Sequence, residues 1–273
     1  MPTHNHAQAQ EFPCAGPVNA TVRVGSGVLN VTAEDSNVAV VEVSPYDDSE
    51  ASRAAADNTK VQFNGDRLNI EVAETAGGWI FRRSGRVRID LRLPIDSQLR
   101  AQTGSADVHA DGRLGATTIH TGSGDSYVTE TSGDLTVQSG SGDVRAERVG
   151  GILRARAASG DVSAASVAGE VIVELASGDV DIEEVGGPVR ASTASGDINI
   201  ASANGTNVRI RSASGDVTVG VPVGTRVWLD LSTMSGSTST DLAMSPAAPE
   251  LGAQLSLEVR TMSGDISVHR VAA

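Results

Sequence analysis

The sequence predicts an all-β fold, a single-stranded parallel β-solenoid (β-helix) with about 18 residues per coil. Three observations lead to this prediction. The triplet Ser-Gly-Asp recurs every 18 residues, a second series of glycines follows the same interval at an offset of nine, and apolar and polar residues alternate between the glycines. A fixed repeat indicates a stacked architecture, and strict alternation indicates strands with one buried face.

The two glycine series define the coil. The first comprises the glycines of the Ser-Gly-Asp triplets, Gly124, Gly142, Gly160, Gly178 and Gly196, followed after nineteen residues by Gly215. The second comprises Gly115, Gly133, Gly151, Gly169, Gly187 and Gly205, followed by Gly224. Each half-coil therefore holds one strand and one turn, and stacked half-coils form two parallel sheets. Glycine adopts the positive φ that a tight corner needs, and Ser and Asp bond nearby backbone amides.

The domain organisation follows from the extent of the repeat. Residues 105–273 are predicted to form regular parallel coils, with each Ser-Gly-Asp aligned above the previous one. The segment 237–254, rich in Ser, Ala and Pro, is predicted to be a loop inserted into a coil. Residues 17–104 form irregular first coils and a cap, so that 17–273 is a single domain. Residues 1–16 are expected to be a disordered tail.

The N-terminal cap is needed because a solenoid exposes unpaired strands at its ends. It carries one short helix within the alanine-rich residues 47–58, with Asp48 or Ser49 as its N-cap. The remaining cap residues alternate as strands do, near 18–24, 27–33, 38–44, 60–64, 67–73 and 86–93.

Composition excludes several classes of partner. The formal net charge is −13, and no basic cluster is present to bind nucleic acid. No run approaches the roughly 20 apolar residues of a membrane span. The first residues lack the basic start and apolar run of a secretory signal, and Cys14, the single cysteine, forms no internal disulfide. We therefore expect a cytoplasmic protein without a nucleic-acid partner and without direct membrane insertion.

Three segments accompany the repeated Ser-Gly-Asp-Val corners: GWIFRRSGRVRIDLRLP at 78–94, LPIDSQL at 93–99 and LEVRTMSGDI at 257–266. Together they resemble a family of bacterial β-strand-repeat proteins, the toast-rack domains, which are described as candidate adhesins. The resemblance extends from about residue 17 onward. It implies a toast-rack-like solenoid, an adhesin-like role and, through relatives near envelope-stress genes, a link to envelope stress.

Calcium is the main rival explanation of the acidic corners. Asp125, Asp134 and Asp143 are nine residues apart, as in nonapeptide calcium β-rolls. In those rolls Asp comes two residues after Gly, whereas here it follows Gly directly, so a turn explains the corner without a cation. A zinc site needs three or four convergent ligands, and the histidines are spread over five positions: His4, His6, His109, His120 and His269. We predict no metal site and no cofactor.

No catalytic motif is present, and the prediction is that the protein is not an enzyme. The leading hypothesis is a non-enzymatic scaffold or protein-interaction module that presents a rigid face to a protein or an envelope component. The alternative is a self-assembling filament, a homo-oligomer joined through the solenoid ends. A calcium-binding β-roll or a carbohydrate-active β-helix enzyme comes third.

The segment Gly77 to Gly85 contains the candidate partner contact, which comprises Trp79, Phe81, Arg82 and Arg83. It concentrates two of the seven aromatic residues beside two arginines in an acidic protein. Tryptophan and arginine are enriched at binding hot spots. The alternative is that Trp79 and Phe81 fold back and plug the end of the solenoid.

Overall fold

The computed structural model describes residues 9–73, 85–242 and 255–272. In these residues the fold is the predicted all-β solenoid of parallel strands with one short helix. The chain divides into two compact units. The first comprises residues up to Gly133 together with Val137–Gly142, and the second comprises Asp134–Thr136 and the residues from Asp143 onward.

The first unit combines parallel coils with antiparallel strands. Its elements are β1 Gln10–Pro13, β2 Asn19–Glu34, β3 Val38–Pro45, α1 Glu50–Asp57, β4 Lys60–Asn64, β5 Arg67–Glu71, β6 Val87–Pro94, β7 Gln98–Leu114, β8 Thr117–Thr121 and β9 Ser126–Thr131. Strand β10, Leu135–Ser141, contributes residues to both units. The long strand β2 pairs in parallel with β5, β6 and β7, and β7 pairs in parallel with β8 and β9. The pairs β1–β3, β3–β6 and β4–β5 are antiparallel.

The helix α1 begins at one of its two predicted caps. The Ser49 side chain accepts the backbone N–H of Ser52 at 3.1 Å, which satisfies one of the free amides of the first turn. Ser52 is buried, and its Oγ accepts the N–H of Arg86 at 3.0 Å. This bond fastens the helix to the start of β6.

The prediction of a disordered tail at 1–16 is wrong for its later part. Gln10–Pro13 form β1, which pairs antiparallel with Val38–Val41 of β3. The Phe12 ring also packs against Phe63, with the ring centroids 5.1 Å apart. These contacts are distant in sequence, so the polar composition of the tail did not reveal them. Residues 1–8 lie outside the described part of the chain.

The turn between β6 and β7 depends on Asp96. Asp96 has a φ of 61°, the left-handed region, which Asp tolerates better than most residues. The Asp96 carboxylate accepts a hydrogen bond from the Ser132 hydroxyl at 2.7 Å. It also accepts two hydrogen bonds from the Arg113 guanidinium, at 2.7 and 3.0 Å. These bonds lower the pKa of Asp96 below its ordinary value, and the bond from Ser132 has the largest effect.

The second unit contains the regular coils. Its strands are β11 Val144–Val149, β12 Leu153–Ser159, β13 Val162–Val167, β14 Val171–Ser177, β15 Val180–Val185, β16 Val189–Ser195, β17 Ile198–Ala203, β18 Asn207–Ser214, β19 Val217–Pro222, β20 Val227–Ser235, β21 Thr238–Thr240, β22 Leu255–Ser263 and β23 Ile266–Val271. Even-numbered strands from β12 to β18 pair in parallel with one another, and odd-numbered strands from β11 to β19 do the same.

The core of the second unit is a narrow layer between these two stacks. Alternate strand residues point inward and are at most 1% exposed, among them Val171, Val173, Val180, Ile182, Val189, Ile198, Ile200, Val208 and Ile210. Burying one such side chain contributes about 2 kcal/mol. The register places a residue beside its counterpart 18 positions later, as for Val171 and Val189. The predicted period and alternation are therefore confirmed.

The coils at the C-terminal end are not stacked in the order of the sequence. β22 pairs with β18 on one side and with β20 on the other, and β23 likewise lies between β19 and β21. The last coil in the sequence thus lies between the two before it. Its Ser-Gly-Asp corner at Asp265 stacks on the previous Ser-Gly-Asp at Asp216, as predicted, and the corner at Ser237, which lacks the aspartate, lies beyond it. Within the predicted loop 237–254, Thr238–Thr240 form β21, and residues 243–254 lie outside the described residues.

The Ser-Gly-Asp corners are joined by a ladder of hydrogen bonds. Each aspartate Oδ1 accepts the backbone N–H of the residue that follows the corner glycine in the next coil. In the first unit Asp107 accepts from Asp125 at 3.1 Å. In the second unit the acceptor and donor pairs, at 2.7–3.0 Å, are Asp143 and Asp161, Asp161 and Asp179, Asp179 and Asp197, Asp197 and Asp216, Asp216 and Asp265, and Asp265 and Ser237.

The two glycine series are required for different reasons. Gly178 of the first series has a φ of 134°, and a Cβ there would lie 2.1 Å from the Gly160 carbonyl oxygen. Gly187 of the second series has no positive φ, but its Cβ would lie 2.3 Å from the Gly169 oxygen. Gly187 therefore allows neighbouring coils to approach closely. The positive φ expected at every glycine is found only in part of the first series and, in the second series, at Gly224.

We expect Gly178→Val to destabilise the protein by about 3 kcal/mol or more, because the substitution forces both a strained φ and a backbone clash. Asp181→Asn should cost less than about 0.5 kcal/mol, since it alters an exposed side chain whose oxygen still accepts from Asn199. Urea unfolding of both variants measures the difference, and equal losses would contradict this account of the corner.

Stability should also depend on the ionisation of Asp265. The backbone N–H and the hydroxyl of Ser237 lower the pKa of Asp265 from its ordinary 3.8. A lowered pKa stabilises the folded state above the ordinary value, and this contribution is lost as the pH falls through the lowered value. Asp265→Asn should therefore be less stable than the parent at neutral pH, and the gap should narrow below about pH 4. Thermal melts across pH, with Asp181→Asn as the control, test this.

Calcium should not stabilise the corners, because backbone amides already bind their carboxylates. Adding calcium or a chelator is expected to leave the Tm unchanged within about 1 °C, since a ligand specific to the folded state would raise it. A calcium-dependent rise of several degrees would show that the ladder holds cations.

Candidate functional site

The three histidines in the described part of the chain do not form a metal site. His109 on β7 is exposed, and His120 on β8 and His269 on β23 are half-buried. Across residues 9–73, 85–242 and 255–272, no three His, Cys, Asp or Glu side chains are grouped so as to hold a metal. His4 and His6 lie outside the described residues.

The sequence-predicted partner contact also lies outside the described residues, which omit 74–84. Trp79, Phe81, Arg82 and Arg83 therefore stay a prediction, as does the alternative that the two aromatic residues plug the end of the solenoid.

The outer face of the even-numbered strands in the second unit carries arginines that are paired across coils. Each pair joins an arginine to an acid on a neighbouring coil. The pairs with their N···O distances are Arg154 and Asp134 at 3.2 Å, Arg156 and Glu174 at 2.9 Å, Arg209 and Glu258 at 2.9 Å, Arg260 and Asp230 at 3.4 Å, and Arg190 with Glu170. Exposed pairs contribute about 0–1 kcal/mol each. They balance the charge of this face, which is therefore not a basic patch.

The coil of β20 and β21 is the least complete part of the second unit. Among the described strands, β20 pairs only with β22. Its inward residues Val227, Leu229 and Leu231 are half-buried, whereas the matching residues of β22 are fully buried. We call the unpaired side of β20 the terminal edge.

Backbone geometry shows which residues line the terminal edge. The Leu255 N–H donates to the Arg226 carbonyl at 3.1 Å, so every second residue counted from Arg226 faces β22. Because backbone groups alternate in direction along a strand, those of Val227, Leu229 and Leu231 point to the other side. The terminal edge thus presents backbone donors and acceptors beside a partly exposed apolar row.

Large apolar side chains are exposed on the same coil and its neighbour. Trp228 is 54% exposed, Met234 82% and Met262 58%. Met234 and Met262 are adjacent across β20 and β22, and Trp228 lies on the same face near the start of β20. Tryptophan and methionine are enriched in protein interfaces.

The first unit contains a groove of about 770 Å³. Its lining includes Gly25, Gly104 and Gly140, and Gly122 is stacked between Gly104 and Gly140. We call it the glycine groove. A Cβ on Gly104, Gly122 or Gly140 would lie 2.5 Å from the carbonyl oxygen of the glycine before it in the stack. The glycines therefore keep the backbones close and the floor free of side chains.

Five hydrogen-bonding side chains, one per strand, line the glycine groove: Glu71, Arg23, Gln102, His120 and Gln138. The register pairs Glu71 with Arg23, Arg23 with Gln102, and Gln102 with His120. Gln138 follows His120 by 18 residues, as Gly140 follows Gly122. This groove was not predicted from the sequence, although the 18-residue spacing of Gly104, Gly122 and Gly140 is a signal that could have revealed it.

The one helix in the described residues has eight residues. None of those residues belongs to a helix with the length and hydrophobicity to cross a bilayer.

The chain is similar to a known protein family and to several solved structures. The family model of Toastrack DUF4097 matches residues 26–269. No curated protein matches the chain. Among solved structures, the chain is similar to a candidate adhesin from Bacteroides fragilis NCTC 9343, with 12% identity, a TM-score of 0.44 and 98% of each chain covered.

Two structures from Parabacteroides distasonis ATCC 8503 are also similar. One is a candidate adhesin with 11% identity and a TM-score of 0.40, covering 97% of this chain and 96% of that one. The other is a candidate lipid-binding protein with 14% identity and a TM-score of 0.42, covering 98% of this chain and 97% of that one. The family model spans most of the sequence and confirms the toast-rack resemblance: the chain belongs to the Toastrack DUF4097 family.

Proposed function

We propose that this protein is a non-enzymatic interaction module that binds a partner protein at the terminal edge of β20. The observation that carries the proposal is the unpaired side of β20 among the described strands, together with its half-buried apolar row. An extended segment of a partner can add to such an edge, gaining backbone hydrogen bonds along its length and specificity from alternate side chains.

Two other polar features of the second unit, the corner carboxylates and the paired arginines, already make internal bonds, which favours the edge as the contact. The corner carboxylates accept backbone amides, and the arginines named above pair with acids on neighbouring coils. A partner that docked on those faces would compete with bonds already made. At the terminal edge a partner would complete an unfinished sheet, and Trp228 and Met234 lie beside it as apolar contacts.

Self-assembly into a filament is the second candidate, and the same edge favours it. The terminal corner, however, is Ser235-Gly236-Ser237, which lacks the aspartate that accepts the next amide in the ladder. A second copy that continued the coils in register would therefore lose one ladder bond at the junction. This loss favours a partner protein over end-to-end stacking.

A charged residue that points inward at the edge tests the proposal. Leu229→Lys should abolish recovery of a crosslinked partner from native cells, because a lysine in that row blocks strand addition. Ser232→Lys is the matched control: it places the same charge on the exposed outer face of β20 and should keep the partner. If both variants melt like the parent and both keep the partner, the edge is not the contact.

Two further measurements complete the design. Val227→Pro removes an edge-facing N–H without removing a bond to β22, and it serves as the blocking variant if Leu229→Lys does not fold. Sedimentation velocity over a range of concentrations distinguishes the two candidates. A wild-type protein that stays monomeric excludes the filament, whereas concentration-dependent growth that Leu229→Lys suppresses would favour it.

A further inference from the structure

The glycine groove lies in the first unit and shares no residue with the terminal edge. Its volume of about 770 Å³ lies within the range of ligand sites, about 300–1,000 Å³. Its polar row crosses five strands, so four intervals of about 4.8 Å give a length of about 19 Å. The groove therefore suits an elongated ligand rather than a compact one.

The polar row is balanced in charge. It contains one carboxylate, one guanidinium, two amides and one imidazole, and Glu71 and Arg23 lie side by side on paired strands. The Arg23 Nε donates to the Gln102 Oε1 at 3.0 Å, which uses one of the several hydrogen-bonding atoms on each side chain. A row of this kind supplies donors and acceptors at regular spacing and favours a neutral ligand with many hydrogen-bonding groups.

The floor supplies contact area but few free polar groups. Backbone groups along the floor form hydrogen bonds between coils. The Gly122 N–H donates to the Thr103 carbonyl at 3.1 Å, and the Gly122 carbonyl accepts from the Ser141 backbone N–H at 2.9 Å. A flat floor of peptide planes next to a polar wall matches a sugar ring, which has flat C–H faces and hydroxyl groups at its rim. A peptide would gain less, because the floor has no free edge for strand addition and no side-chain pockets.

From these features we propose that the glycine groove binds a neutral oligosaccharide, lying along the row from Glu71 to Gln138. The amides and the imidazole of Gln102, His120 and Gln138 bond its hydroxyl groups, and Arg23 and Glu71 bond its end. No bond is made or broken in the ligand.

Isothermal titration calorimetry of the full chain tests the site with cellotetraose, maltotetraose and tetra-N-acetylchitotetraose. We expect saturable binding of at least one of them. The double variant Gln102→Ala/Gln138→Ala should weaken that binding about tenfold or more, because two hydrogen-bonding side chains are lost. Gln98→Ala, an exposed glutamine on the same strand as Gln102 but outside the groove, is the matched control and should bind like the wild type.

Each other outcome overturns the proposal. These outcomes are the absence of saturable binding with all three sugars, equal weakening by Gln98→Ala, and binding of a capped alanine–threonine hexapeptide in place of the sugars. If the double variant melts below the wild type, His120→Ala replaces it, and this variant should also weaken sugar binding. Because the terminal edge is intact in every groove variant, partner recovery through β20 should be unchanged, so the two proposals fail separately.

Discussion

A hydrogen bond from a backbone N–H to an aspartate Oδ1 joins each Ser-Gly-Asp corner of the second unit to the next. The corner between two strands consists of a glycine and an aspartate, and the aspartate N–H has no partner within the strands. The aspartate carboxylate of the preceding coil accepts this N–H. The same bond relieves the repulsion expected when carboxylates repeat about every 4.8 Å, because each negative charge faces an amide dipole. Strand pairing, the thin aliphatic core and the spacing of the outer-face ion pairs all follow the register set at this corner.

Much of this architecture could be predicted from the sequence, because it repeats. The 18-residue interval determines which residues stack, and alternation determines which point inward, as Val180 beside Ile198 illustrates. The order of the last coils was not predicted, yet the sequence contains the signal. Ser237 takes the place of the aspartate at a corner that has no described coil beyond it, where no further described amide needs an acceptor. Strand β1 was missed because its stability comes from β3 and Phe63, which are distant in sequence.

The candidate sites were harder to predict than the fold. Residues such as Gln102 and His120 are unremarkable one at a time, and they become a row only when β7 and β8 are placed in register. The terminal edge of β20 likewise depends on which coil is last, which local pattern does not give. Periodicity therefore reveals what every coil shares, whereas the groove also depends on the pairing of neighbouring strands and the edge depends on the order of the coils.

The placement of β22 between β18 and β20 has a consequence for how the chain folds. Strands β20 and β21 leave the ribosome before the coil that they pair with has been made. Folding that advances coil by coil can therefore proceed only as far as β18 and β19, and the two remaining coils add once β22 and β23 have been made. The final step closes contacts between residues far apart in sequence, and such contacts slow folding. A chain that ends before β22 would lose the pairing partner of β20 as well as the last coil.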